Sequence, residues 1–232
     1  VFYLLLYLMC FSCLAYCPDQ NTNKPNVTAS NATSWQTWRH SDNKHVKKRR
    51  ASKPDLIEIC AELIINSSLS GFLQFIEDPD NIANWLDNVD SLELKRHSIT
   101  ENTLTIFFNA FWPVDARVMK IKSTIKQLPN LSIQILITDL SEHVNSSTQA
   151  IPVTVHSASW FIKPVAANKL HVRYQFVADA NGNLPHWLAN KVSLKSIWRT
   201  LSNIEQQLPR SKYQALAHPA IKEFTMKSSQ TQ

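Results

Sequence analysis

Eight histidines, at His40, His45, His97, His143, His156, His171, His186 and His218, are the side chains in this sequence best suited to metal binding or proton transfer near neutral pH. Their spacing argues against both roles. No H-E-x-x-H run accompanies them, and beyond residue 17 there is no cysteine pair, so no ligand set forms along that part of the chain. A solitary histidine is far more often a surface or core residue than a catalyst, because catalysis needs convergent partners. Asp179-x-Asn181-Gly182 opens like a calcium loop, but the twelfth position is Asn190 where a bidentate glutamate is required, so the segment reads as a turn. Gly71 and Gly182 are the two glycines of the 232 residues. That shortage excludes a P-loop, a dinucleotide-binding G-x-G-x-x-G turn and a G-x-S-x-G nucleophile elbow, each of which needs several close glycines. We expect no catalytic residue, no metal and no cofactor.

The formal charge of +6 is modest, and much of it sits in one run, Lys44-His45-Val46-Lys47-Lys48-Arg49-Arg50. The run reads as a solvated strand edge defended by charge. The competing reading is contact of Lys47, Lys48, Arg49 and Arg50 with an anionic membrane surface. Nucleic acid is not expected, since no aromatic residues interleave the cations. Cys60 is the only cysteine beyond the first 17 residues, which argues against a disulfide framework and against thiolate metal sites.

Residues 1–17 are uncharged and almost wholly apolar, and they break at Pro18-Asp19. The length suits a signal peptide or an N-terminal anchor, with a lipoprotein using Cys13 or Cys17 as a third option. We expect an exported protein, periplasmic or secreted, and monomeric. Residues 18–33 read as a polar linker, 34–209 as the folded domain and 210–232 as a polar C-terminal tail that frays, with a weak apolar patch from Leu216 to Phe224.

The elements that must position any site follow from periodicity. Segments 34–40 and 44–50 form a hairpin, and Ile57, Ile59, Ala61, Leu63 and Ile65 make a strand with one apolar face. Ser67 or Ser68 caps a short helix carrying Phe72, Leu73 and Ile76, and a second short helix covers about 80–88. Six alternating strands follow, including Val153/Val155/Ser157/Ser159/Phe161 and Leu170/Val172/Tyr174/Phe176 as single faces. A long helix over 184–208 comes last, with Pro185 in its first turn, an apolar stripe at Leu194, Ile197, Leu201, Ile204 and Leu208, and Pro209 as its stop. A curved antiparallel sheet of about nine strands cannot cover its concave face with one helix. The remaining volume becomes dense core or an apolar cavity suited to greasy ligands.

Three motifs carry a family resemblance. Phe111-Trp112-Pro113-Val114-Asp115-Ala116-Arg117 resembles the Trp-Pro…Arg segment between two strands of the START domain. Trp85 followed by Val89 resembles its W…V pair, and Asp179-Ala180-Asn181-Gly182-Asn183-Leu184-Pro185-His186-Trp187-Leu188-Ala189-Asn190 resembles its entry to the last helix. Together these look like a START-like protein of bacterial type within the birch-pollen-allergen-like group. Two positions depart from the pattern. Val118 follows Arg117 where an acidic residue is usual, and His156 stands where a basic residue is often found.

The resemblance implies an α+β helix-grip fold, with two short helices after the third strand and the sheet wrapped around the terminal helix. It also implies non-catalytic binding of a lipid or sterol-like molecule, with transfer or sensing as its use. An enzyme acting on a greasy substrate in the same cavity, and an accessory protein-interaction module, are the alternatives. Cavity candidates are Trp85, Phe108, Trp112, Arg117, Met119, His156, Trp160, Tyr174, Trp187, Ile197 and Leu201. Arg117, His156 and Glu62 are its polar groups, either meeting a ligand head or closed in internal ion pairs.

Overall fold

Alternating apolar side chains become strands in the computed structural model, which describes residues 34–224. The N-terminal segment, the linker and the last eight residues lie outside that range. In chain order the elements are β1 (Gln36–His40), β2 (Lys44–Arg50), β3 (Ile57–Asn66), α1 (Leu69–Glu77), α2 (Pro79–Trp85), β4 (Val89–Arg96), β5 (Glu101–Phe108), β6 (Arg117–Gln127), β7 (Ile133–Asp139), β8 (Ile151–Pro152), β9 (Thr154–Ala166), β10 (Lys169–Asp179) and α3 (His186–Gln207). The strands make one curved sheet in the order β1-β2-β3-β10-β9-β7-β6-β5-β4, antiparallel throughout that path. The tenth strand, β8, pairs parallel to β6 and is two residues long, too short to show a period.

The sheet closes on α3 through one apolar cluster. Ile59, Ala61, Leu63 and Ile65 of β3 join Leu194, Ile197, Leu201 and Ile204 of α3, all buried. Fully burying one such aliphatic side chain contributes about 1.5–3 kcal/mol. Ser68 is the N-cap of α1, its Oγ accepting from Gly71 N at 3.0 Å, and Asp78 caps α2 by accepting from Asp80 N. α2 ends at Trp85, earlier than its apolar pattern suggests, because Asn88 takes a positive φ of 64° and turns the chain into β4. Pro185 precedes α3 as its N-cap, and its carbonyl accepts from Leu188 N and Ala189 N.

Several expectations are corrected. β2 is not a sheet edge, since β1 lies outside it. Lys44 is buried, its ammonium bound to Glu205 and Ser202 of α3 and set over the Trp198 ring, which Arg39 also covers. Arg49 pairs with Glu58 and stacks on Trp35. The basic hairpin therefore clamps the terminal helix. Cys60 is fully buried within β3.

Another correction concerns the face of β9. Val177 of β10 pairs with Ser157, but Ala178 pairs with Val155, so His156 is the extra residue of a β-bulge. A one-residue insertion reverses every later side chain. Val155 points into the core, but after the bulge Ala158, Trp160 and Ile162 do so, and Ser157, Ser159 and Phe161 take the other face.

As far as Phe224, the stretch after α3 does not fray. Single helical turns at Leu208–Arg210 and Lys212–Ala215 fold it back over α1. Tyr213 packs edge-on against Phe75 and donates to Asp78, and Glu223 accepts from Leu69 N and Ser70 N at the start of α1. Gly71 is glycine because of this contact. A Cβ there would lie 2.8 Å from Ser68 Oγ and 3.0 Å from Gln214 Nε2.

Candidate ligand cavity

Between α3 and the concave face lies a cavity of about 740 Å³. Its wall follows from strand alternation. Leu104, Ile106 and Phe108 of β5 face it beside Met119, Ile121 and Ile125 of β6, with Ile135 and Ile137 of β7 and Tyr174 and Phe176 of β10 continuing the surface. α3 contributes Ile197 and Leu201, and α2 contributes Trp85. Trp160 organises the aromatic part of the wall. Its ring stacks on Tyr174 at 4.4 Å and meets Trp85 edge-on at 6.5 Å. Burial pushes the Tyr174 hydroxyl above its ordinary pKa, so it stays neutral and presents no charge to a ligand.

Among the residues singled out from sequence, Trp85, Phe108, Trp112, Arg117, Met119, Trp160, Tyr174, Ile197 and Leu201 line this cavity. Trp112 does so at its rim, where it is 94% exposed and joined to Pro113 by a cis peptide bond. His156 and Trp187 are not in the wall. The bulge turns His156 outward, with Nε2 3.2 Å from Lys53 Nζ, and Trp187 is 67% exposed on the first turn of α3. Glu62 lies on the opposite face of β3 from Leu63, where Arg173 Nε donates to it at 3.0 Å and His171 Nε2 sits at 3.3 Å. Burial would raise its pKa, but the hydrogen bonds and charges of His171 and Arg173 outweigh this and hold the carboxyl at about 2.

Arg117 is occupied by backbone. Its Nε donates to Ala180 O at 2.9 Å and its Nη1 to Asp115 O at 2.8 Å, with longer contacts to Ala116 O and Asn181 O at 3.4 Å. The guanidinium thus straps the β5–β6 loop to the turn before α3. Burial lowers its pKa, with Asp115 opposing. The same turn uses the rest of the Asp179–Gly182 motif. Asp179 accepts from Asn181 N, Asn181 Nδ2 donates to Pro152 O and Thr154 Oγ1, and Gly182 takes a φ of 70° that a side chain would strain.

Sequence reasoning missed the far end of the cavity. Glu77 at the end of α1 and Asn102 at the start of β5 border it, together with Ser123 of β6, and the tail delivers His218 onto Glu77. A polar residue at the first inward position of β5 was the available signal. The partner from the tail had none, because no periodicity marks residues 211–224.

No family model matches the chain, and no curated protein matches it in sequence. Solved structures do match it in shape. The STAR-related lipid transfer protein from Xanthomonas axonopodis superposes with a TM-score of 0.68 at 20% identity, covering 74% of this chain and 96% of that one. The fold is START-like. Human StAR-related lipid transfer protein 5 gives 0.66 at 16% identity over 74% and 85% of the two chains, and the human StarD13 lipid transfer and protein localization domain gives 0.62 at 14% over 75% and 90%. At these identities the START-like likeness is one of architecture: a helix-grip domain whose sheet and terminal helix enclose an apolar-walled cavity.

Proposed function

We propose that the protein binds a lipid or sterol-like ligand in this cavity and sequesters it without chemical change. The observation that carries the reading is the cavity itself, about 740 Å³ walled by aliphatic and aromatic side chains, in a fold shared with STAR-related lipid transfer proteins. Removing apolar ligand surface from water at roughly 25 cal/mol per Å² supplies the driving force. Export as a periplasmic or secreted protein remains part of the proposal, on the strength of residues 1–17.

Exchange with an anionic membrane belongs to the same reading. Trp112 and Trp187 are the most exposed large apolar side chains described, the first in the β5–β6 loop and the second in the first turn of α3, which follows the turn to which Arg117 straps that loop. Aromatic rings of this kind suit a membrane interface. The basic strand with Lys47, Lys48, Arg49 and Arg50 is the second candidate surface, although Arg49 is already paired.

The test is solvent extraction and mass spectrometry of purified protein, followed by displacement of a bound fluorescent fatty-acyl probe. Recovery of an apolar molecule, unaltered in mass after incubation, supports sequestration. Conversion of that molecule would favour an enzyme, and absence of any ligand together with no probe binding would refute the reading.

A further inference from the structure

The sheet ends at β4, beyond which no described strand lies. Its pairing with β5 is regular from Ser91 to Arg96, and Asp90 is the extra residue of a bulge at its start. A strand edge presents unpaired backbone groups, and the ladder shows which ones. His97 N donates to Glu101 O at 2.9 Å, so the odd-numbered residues of β4 bond towards β5. Ile125 N donates to Thr100 O at 2.8 Å, so the even-numbered residues of β5 bond towards β6, as the alternation requires. The N–H and C=O groups of Leu92, Leu94 and Arg96 therefore point away from the sheet.

Side chains alternate as well. Leu94 borders the cavity and Leu92 packs on the core, which puts Glu93 and Lys95 on the outer face of the strand, both exposed. Across the ladder they meet Thr105 and Thr103, and neither has an ion-pair partner among the described residues. A row of lysines on an edge repels a copy of itself. This edge instead carries one charge of each sign, two residues apart, an arrangement complementary to itself.

Two copies of β4 set antiparallel about a two-fold axis at Leu94 bring Leu94 opposite the partner's Leu94, and Leu92 opposite the partner's Arg96. Every one of these residues has its backbone groups pointing outward, and each pair exchanges two N–H···O bonds, about six in all. Glu93 then falls opposite the partner's Lys95, and symmetry repeats the pair. These are non-hydrogen-bonded positions, where facing side chains lie closest. Moving the axis by one residue sets Glu93 against its own copy in one direction and Lys95 against its own copy in the other. Like charges directly opposite destabilise a strand pair, so one register is selected over both neighbours.

We propose that β4 is a self-association edge through which two copies join their sheets into one, a reversible dimer in place of the monomer expected from sequence. A second copy fits better than an unrelated strand because the register that the charges reward is symmetric. About six backbone bonds and two exposed ion pairs stand at the small end of specific interfaces, so the dimer is concentration-dependent rather than obligate. The proposal is independent of what the cavity holds.

The experiment is sedimentation velocity of the full chain at low salt, from about 5 to 500 μM, the range in which so small an interface associates. Wild type should pass from monomer to dimer and shift back towards monomer in about 1 M salt. Glu93→Lys and Lys95→Glu, each at an exposed position, turn two attractive pairs into two repulsive ones and should weaken the dimer about tenfold or more. An equimolar mixture of the two variants restores opposite charges at both pairs, and its dimer should return to within about threefold of wild-type affinity. A wild-type chain that stays monomeric throughout leaves the edge to some other strand and overturns the proposal. A dimer that both variants keep uses another surface and overturns it equally, as does a mixture that fails to recover.

Discussion

Replacing Arg117 with alanine separates two roles that the sequence could not. If the side chain is a strap, its loss is felt in stability; if it is a head-group partner, its loss is felt in ligand affinity. Two of its bonds, to Ala180 O and Asp115 O, are short, and two at 3.4 Å are near the limit of a useful hydrogen bond. Hydrogen bonds from a charged group contribute about 1.5–3 kcal/mol each. Water can reach the freed carbonyls at the cavity rim, so the net loss should be about 3 kcal/mol rather than the full sum. In a domain of this size each kcal/mol moves Tm by about 2–4 °C, giving a drop of about 6–12 °C. Arg117→Lys should recover less than half, because a point ammonium cannot bridge both loops at once. Calorimetry and probe binding below the transition check this together. An unchanged Tm combined with a tenfold or larger loss of affinity would refute the strap and restore the head-group role.

Three further outcomes are expected. Glu62 has a folded pKa of about 2 against an ordinary 4.5, so its contribution is fully present above about pH 4.5 and is lost as pH falls from there towards 2. Allowing for solvent screening this amounts to about 2–3 kcal/mol; urea midpoints of Glu62→Gln should show a flatter acid limb, and an identical limb would sink the assignment. Gly71→Ala drives a Cβ into Ser68 Oγ and the Gln214 amide. After the gain in helix propensity it should still destabilise by about 1 kcal/mol and speed proteolysis of the tail, and a rise in Tm would count against the packing argument. His156→Ala should leave ligand affinity unchanged and stability within about 0.5 kcal/mol, since the ring lies outside the cavity; a measurable affinity loss by probe titration would reopen its role.

The order of elements was legible because most strands have one clean apolar face and α3 an unbroken stripe. The wall residues Phe108, Met119 and Tyr174 could be named for the same reason, since alternation places them opposite the helix. The reading failed where a local event broke the period. At His156 a bulge inserts one residue, and no side-chain type near it announces that. Trp187 follows the helix-entry motif yet faces solvent, because the motif specifies a turn and a cap rather than a direction. For Glu62 the internal ion pair, one of the two alternatives the sequence left open, is the one found; a single glutamate among apolar residues does not reveal which cross-strand cations, more than a hundred positions away, will meet it. The tail was invisible as structure because it is held by capping and amide contacts, which have no repeat.

The bulge also gives β9 a residue of slack. Removing His156 would make the pairing with β10 regular from Thr154 to Pro164 and still leave Ala158, Trp160 and Ile162 pointing inward. The neighbouring strand has no such allowance. β7 pairs regularly with both β6 and β9, and deleting Leu136 would put Ile135 and Ile137 on opposite faces. The same one-codon loss should therefore be tolerated at one point of the sheet and ruinous a strand away. Melting curves of the two deletions would show whether length, more than side-chain identity, is what this part of the sheet requires.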